Sequence, residues 1–119
     1  MSRDFLDYLE DMVEYVGKAV HFTEGMEYDE FVRDEKTALA VVKALEIVGE
    51  AAKKIPAHVK ERHPRIPWRE MAGMRDRLTH GYFSVDLSIV WKVVKDRLPA
   101  LKSSLEEVIR DYEDRQGQE

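Results

Sequence analysis

Hydrophobic residues recur along this chain every three or four positions, the spacing of one face of an α-helix. Phe5, Leu9, Met12, Val16 and Ala19 mark a first amphipathic helix from Ser2 to about Phe22, capped near Ser2, with Asp7, Asp11, Glu14 and Lys18 on another face. A second helix starts near Tyr28 and runs through Phe31, Ala38, Val42, Leu45, Gly49 and Ala52 until Pro56 stops it, with Gly49 permitting a close helix approach. Residues 56–67 hold Pro56, Pro64 and Pro67 and form a connector with room for one helical turn. Pro67 suits the first position of a third helix, about Pro67 to His80, which Gly81 closes. Ser84 or Asp86 can cap a fourth helix carrying Val90, Val93 and Val94. Leu101, Leu105, Val108 and Tyr112 extend its pattern beyond Pro99, where a kink or restart is expected. No segment alternates apolar and polar residues as a strand does, and there is no internal repeat, so the expected fold is all-α: a single helical bundle over residues 1–119.

Composition narrows the class. A chain of 119 residues with 44% hydrophobic content suits one domain with one core. The longest apolar run, Ala38 to Val42, is far below the roughly 20 residues that span a bilayer. Nothing after Met1 resembles an export signal, so a cytoplasmic protein without membrane attachment is expected. The absence of cysteine removes disulfides, thiolate zinc sites and thiol nucleophiles.

Charge adds an asymmetry that the net value of −5 conceals. Residues 1–52 carry 5 basic and 13 acidic side chains, whereas residues 53–80 carry 8 basic and 3 acidic. The basic island comprises Lys53, Lys54, Lys60, Arg62, Arg65, Arg69, Arg75 and Arg77, with His58, His63 and His80 beside them. Such an island can attract phosphates, or it can simply be a solvated face that balances the acidic first half.

Within the third helix Trp68, Met71, Ala72, Met74, Leu78 and Thr79 form a contiguous stripe, and Arg75 falls near its centre. A guanidinium on an apolar stripe needs a carboxylate, a carbonyl or a phosphate to meet its donors. Glu46 or Glu50 could supply an internal ion pair; an anionic ligand is the other solution. His80 follows five residues later, and Asp76, one turn before it, could orient its ring. There is no glycine-rich phosphate loop, no paired-histidine metal helix, and no metal-ligand spacing at His58 and His63. Neither metal nor cofactor is assigned.

The string Arg75, Asp76, Arg77, Leu78, Thr79, His80, Gly81, Tyr82 resembles the RX4HXY signature of the HEPN-domain toxins in MNT/HEPN toxin–antitoxin pairs, the HepT-like ribonucleases. Ile47 to Ala52, Ile66–Pro67–Trp68, Gly73–Met74, Val90–Trp91 and Leu98–Pro99 resemble that family in order and spacing, so the likeness covers almost the whole chain. It implies a HEPN-type bundle of four to five helices that forms a homodimer, with the Arg and His of both subunits in one cleft that cuts RNA without a metal. By motif position Arg75 and His80 are the catalytic pair. Tyr82 is the position that a separate nucleotidyltransferase antitoxin modifies with AMP in some members, as in type VII-like toxin–antitoxin pairs. This chain lacks the GS-plus-carboxylate pattern of the transferase itself.

The chemistry suits those residues. Attack by a neighbouring 2′-hydroxyl requires proton transfers, which an imidazole can perform, and charge on the phosphate oxygens, which an arginine can meet with two hydrogen bonds. A 2′,3′-cyclic phosphate is the expected product. Arg77, Arg69, Arg65, Arg62 and Lys60 are candidate RNA-backbone contacts, with Asp76 and Glu50 in supporting roles. The alternatives are a catalytically silent interaction protein, with Arg75 in an ion pair, and a nucleotide-binding module, either of them partnering a nucleotidyltransferase.

Overall fold

The computed structural model describes residues 3–79 and 85–117, with side chains described for all of these except 75–79 and 117. Among the described residues every regular element is helical. In chain order these are α1 (Phe5–Phe22), α2 (Tyr28–Arg33), α3 (Glu35–Lys53), α4 (Ala57–Arg62), α5 (Trp68–Thr79), α6 (Leu87–Lys92), a π-helical turn (Val93–Arg97) and α7 (Leu98–Gly117). The long helices make the bundle: α3 packs between α1 and α5, and α7 lies against the other side of α1. The expected all-α bundle is what forms.

The core is built from the periodic positions. Leu9, Met12, Val16 and Ala19 of α1 meet Val41, Leu45, Val48 and Ala52 of α3, and Leu98, Leu105 and Val108 of α7 complete the set, all buried. At about 25 cal/mol per Å2 of apolar surface, this burial is the main force holding the bundle. No helix among the described residues is long and apolar enough to cross a membrane.

Two local expectations are corrected, and a third takes a specific form. The first helix is capped by Asp4 rather than near Ser2: its carboxylate accepts the Leu6 amide at 2.6 Å, and its own amide donates to Asp7 at 3.3 Å. The second helix is two helices, because Asp34 leaves helical geometry (φ −97°, ψ 84°) and caps α3 by accepting from the Thr37 amide at 3.0 Å and the Thr37 hydroxyl at 2.7 Å. At Pro99 the expected kink or restart takes the form of a π-helical turn, Val93–Arg97, after which a new α-helix begins at Leu98. The Pro99 ring would strike the Lys95 carbonyl in a regular α-turn, and the chain instead widens just before it, the Leu98 amide bonding to the Val93 carbonyl five residues back.

That widened turn is fastened from outside. The Lys95 ammonium donates to the Thr23 carbonyl at 2.7 Å and sits 4.7 Å from the Trp91 ring centre. Phe31 of α2 packs on the same indole with ring centres 5.2 Å apart. Between α1 and α2 the chain reverses at Gly25 (φ 74°), a left-handed conformation that glycine adopts without strain.

Candidate active site

The helix expected to carry chemistry begins one residue later than predicted. Pro67 sits just outside it, its carbonyl accepting the Met71 amide at 3.1 Å, and the helix proper runs Trp68–Thr79. Trp68 and Met71 are buried against the core, while Ala72 and Met74 are half-buried, so the apolar stripe is real over its first two turns. The indole N–H of Trp68 donates to the His63 carbonyl at 2.9 Å, which seats the helix on the connector.

Arg75, Asp76 and Arg77 lie on this helix, but their side chains fall outside the described residues, as do His80, Gly81 and Tyr82 altogether. Of the two carboxylates weighed as partners for Arg75, Glu46 has Lys43 at 3.7 Å, and Glu50 stands on the exposed side of α3, the helix against which α5 packs.

The candidate RNA contacts divide into two groups. Arg69 and Arg65 are exposed, and Lys60 is half-buried. Arg62 is exposed but committed: its Nε stands 3.3 Å from Asp111 Oδ2 on α7. Lys60 and Arg62 lie on the short helix α4, which takes up the first half of the connector, Arg65 follows it, and Arg69 lies on α5.

Beside α5 runs an open groove of about 850 Å3. Leu45 and Val48 of α3 contribute to its floor, Met71 and Met74 of α5 line one side, and Ile89, Val93 and Leu101 line the other. Met74 immediately precedes Arg75 and Val85 immediately follows Ser84, so lining residues stand at both ends of the segment that contains the RX4HXY string. Arg65, Glu70, Asp86, Asp96 and Arg97 also line it. Asp86 caps α6, accepting from the Ser88 amide and hydroxyl, and those bonds hold its carboxyl below the usual carboxylate range. Among the described residues no three His, Asp or Glu side chains gather into a metal-ligand set.

Sequence reasoning missed two features. The groove forms between helices distant in sequence, and its only trace was the Met71–Met74 stripe. The Asp111 cluster on α7 left none, since Asp111 reads there as one more solvated acid.

A small all-α bundle, with a basic connector leading into an arginine-bearing helix beside an open groove, is the class that these features define. A family model described as "Ribonuclease HepT-like" matches residues 6–108. The chain is 49% identical over 108 residues to "Probable ribonuclease HepT" of Thermococcus cleftensis, covering 91% of this chain and 98% of that protein. It is 45% identical over 112 residues to "Putative RNase MJ1216" of Methanocaldococcus jannaschii, covering 94% and 93%. No solved structure matches it. The chain belongs to the HepT-like ribonuclease family.

Proposed function

We propose that this chain is a metal-independent endoribonuclease toxin that works as a homodimer, with Arg75 and His80 as its catalytic pair. The observation that carries the reading is the family match through residues 6–108, a span that includes the string from Arg75 to Tyr82. In a cleft shared by two subunits, one neutral His80 takes the 2′-hydroxyl proton while the oxygen attacks phosphorus. The other His80, protonated, gives a proton to the departing 5′-oxygen. A P–O2′ bond forms, the P–O5′ bond breaks, and a 2′,3′-cyclic phosphate remains. Arg75 meets the charge on the non-bridging oxygens. Asp76 favours the protonated imidazole, and Arg65, Arg69, Arg77 and Lys60 draw in the RNA backbone. Arg62, held by Asp111, contributes less to RNA than its exposure suggests.

The groove beside α5 supports the homodimer. Its wall is largely apolar and its charged residues are of both signs, Arg65 and Arg97 with Glu70, Asp86 and Asp96, so two copies could pair across it. Regulation follows from the signature: a nucleotidyltransferase antitoxin adds AMP to Tyr82, and the new phosphate occupies the cationic site and blocks RNA.

The test is cleavage of total RNA and of a tRNA pool by the unmodified protein in excess EDTA, beside Arg75→Ala and His80→Ala, with intact mass recorded for each. Cleavage is expected to survive EDTA and to fall at least about 100-fold in both variants. An inactive dimer of unmodified mass would instead favour the interaction protein.

A further inference from the structure

One carboxylate ties the connector to the far end of α7. Asp111 Oδ2 faces Arg62 Nε at 3.3 Å and His63 Nε2 at 3.2 Å, and its Oδ1 faces Arg115 Nε at 3.2 Å. His63 Nε2 is shut off from solvent and has no aligned acceptor among the described residues, so Asp111 acts on it as a facing charge rather than as a hydrogen-bond partner. The His63 ring stands at 62° to that of Tyr112, which in turn meets Phe5 of α1 edge-on. Burial of Tyr112 in this cluster pushes its hydroxyl pKa up.

The backbone of His63 has a second task. Its carbonyl accepts the Trp68 indole N–H at 2.9 Å and the Ile66 amide at 3.3 Å. Trp68 opens α5, and Arg75 lies two turns further on, about 10 Å along the axis. A chain of contacts thus runs from α7 through the side chain of His63, then its carbonyl, then Trp68, into the helix that bears Arg75.

We propose that Asp111 is a positioning residue for the Arg75 and His80 site: by holding His63 against α7 it fixes the carbonyl that seats Trp68, and with it the direction of α5. The inference rests on the ribonuclease reading of that site. Without the Asp111 charge, Arg62 and Arg115 repel one another, the His63 ring loses the group that faces it, and the connector loosens. The helix is stiff, so a small tilt at Trp68 becomes a displacement at Arg75, where about 1 Å can cost on the order of 100-fold in rate. The ion pairs are partly exposed and contribute little to stability, so the activity loss should outrun the stability loss.

The experiment uses the full chain with Trp91→Phe, which leaves Trp68 as the sole indole. Into that parent go Asp111→Asn, Asp111→Glu and Arg115→Ala. Asp111→Asn is expected to red-shift Trp68 emission and to lower kcat about tenfold or more, with KM within about threefold. Asp111→Glu should restore most of both. Arg115→Ala removes a neighbour of Asp111 that does not touch the connector, and should leave both at the parent values. Unchanged Trp68 emission in Asp111→Asn, or an equal effect of Arg115→Ala, would overturn the proposal. If Asp111→Asn does not fold, His63→Gln removes the same contact from the connector side, and absence of a shift there overturns it equally. A parent that cleaves no RNA would sink the ribonuclease reading, while Trp68 emission would still decide whether the clamp exists.

Discussion

Asp34 divides two helices that share one hydrophobic period, and it does so with a single carboxylate. Its bonds to the Thr37 hydroxyl and amide hold its pKa below the usual carboxylate range. A carboxyl whose folded pKa is depressed contributes stability above its unfolded pKa and loses it as pH falls through the folded value. Asp86 follows the same rule through Ser88. Thermal stability should therefore decline as pH drops below about 4, and Asp34→Asn should flatten part of that decline. Melting temperatures of both proteins between about pH 2 and 6 check this; parallel curves would mean that the cap does not titrate. Asp86 was legible as a cap because it precedes a clear apolar run. Asp34 was not, because Phe31 and Ala38 stand seven residues apart, two helical turns, and the period survives the break.

Short elements in this bundle depend on single anchors. The six residues of α2 are too few to be helical alone, and Phe31 is their one fully buried side chain, packed on Trp91. Phe31→Ala should cost about 3–5 kcal/mol, measured by chemical denaturation, and should change the emission of Trp91. A loss below about 1 kcal/mol would show that α2 is held by something else. The π-helical turn carries a related lesson. Pro99 predicts trouble for a regular helix, but whether the chain breaks, bends or widens depends on what surrounds it. Here Lys95, bonded to Thr23 across the bundle, belongs to the widened turn.

The molecule is a rod, 51 × 29 × 28 Å, with one long side opened by the groove along α5. The proposed homodimer would close this apolar wall. Ile89, 47% exposed and lining the groove, is the position to probe. A carboxylate buried there without a partner should weaken association about 100-fold. Ile89→Glu is thus expected to sediment as a folded monomer and to lose RNA cleavage with the shared cleft. A dimer that persists would move the seam elsewhere on the rod.

Periodicity, caps and prolines were enough to determine that this protein is a helical bundle, which faces are buried and where the basic island lies, because those properties depend on neighbours within a turn or two. The RX4HXY string points to Arg75, His80 and Tyr82 as candidate chemistry through a family resemblance, not through a local physical pattern. The tertiary structure alone decided that the groove opens beside α5, that Arg62 pairs with Asp111 on α7, and that His63 links α7 to the start of the arginine-bearing helix. Each of these depends on contacts across the fold, such as that of Arg62 with Asp111, 49 positions away. The pairing of such residues is set by how the helices pack, which no local pattern encodes.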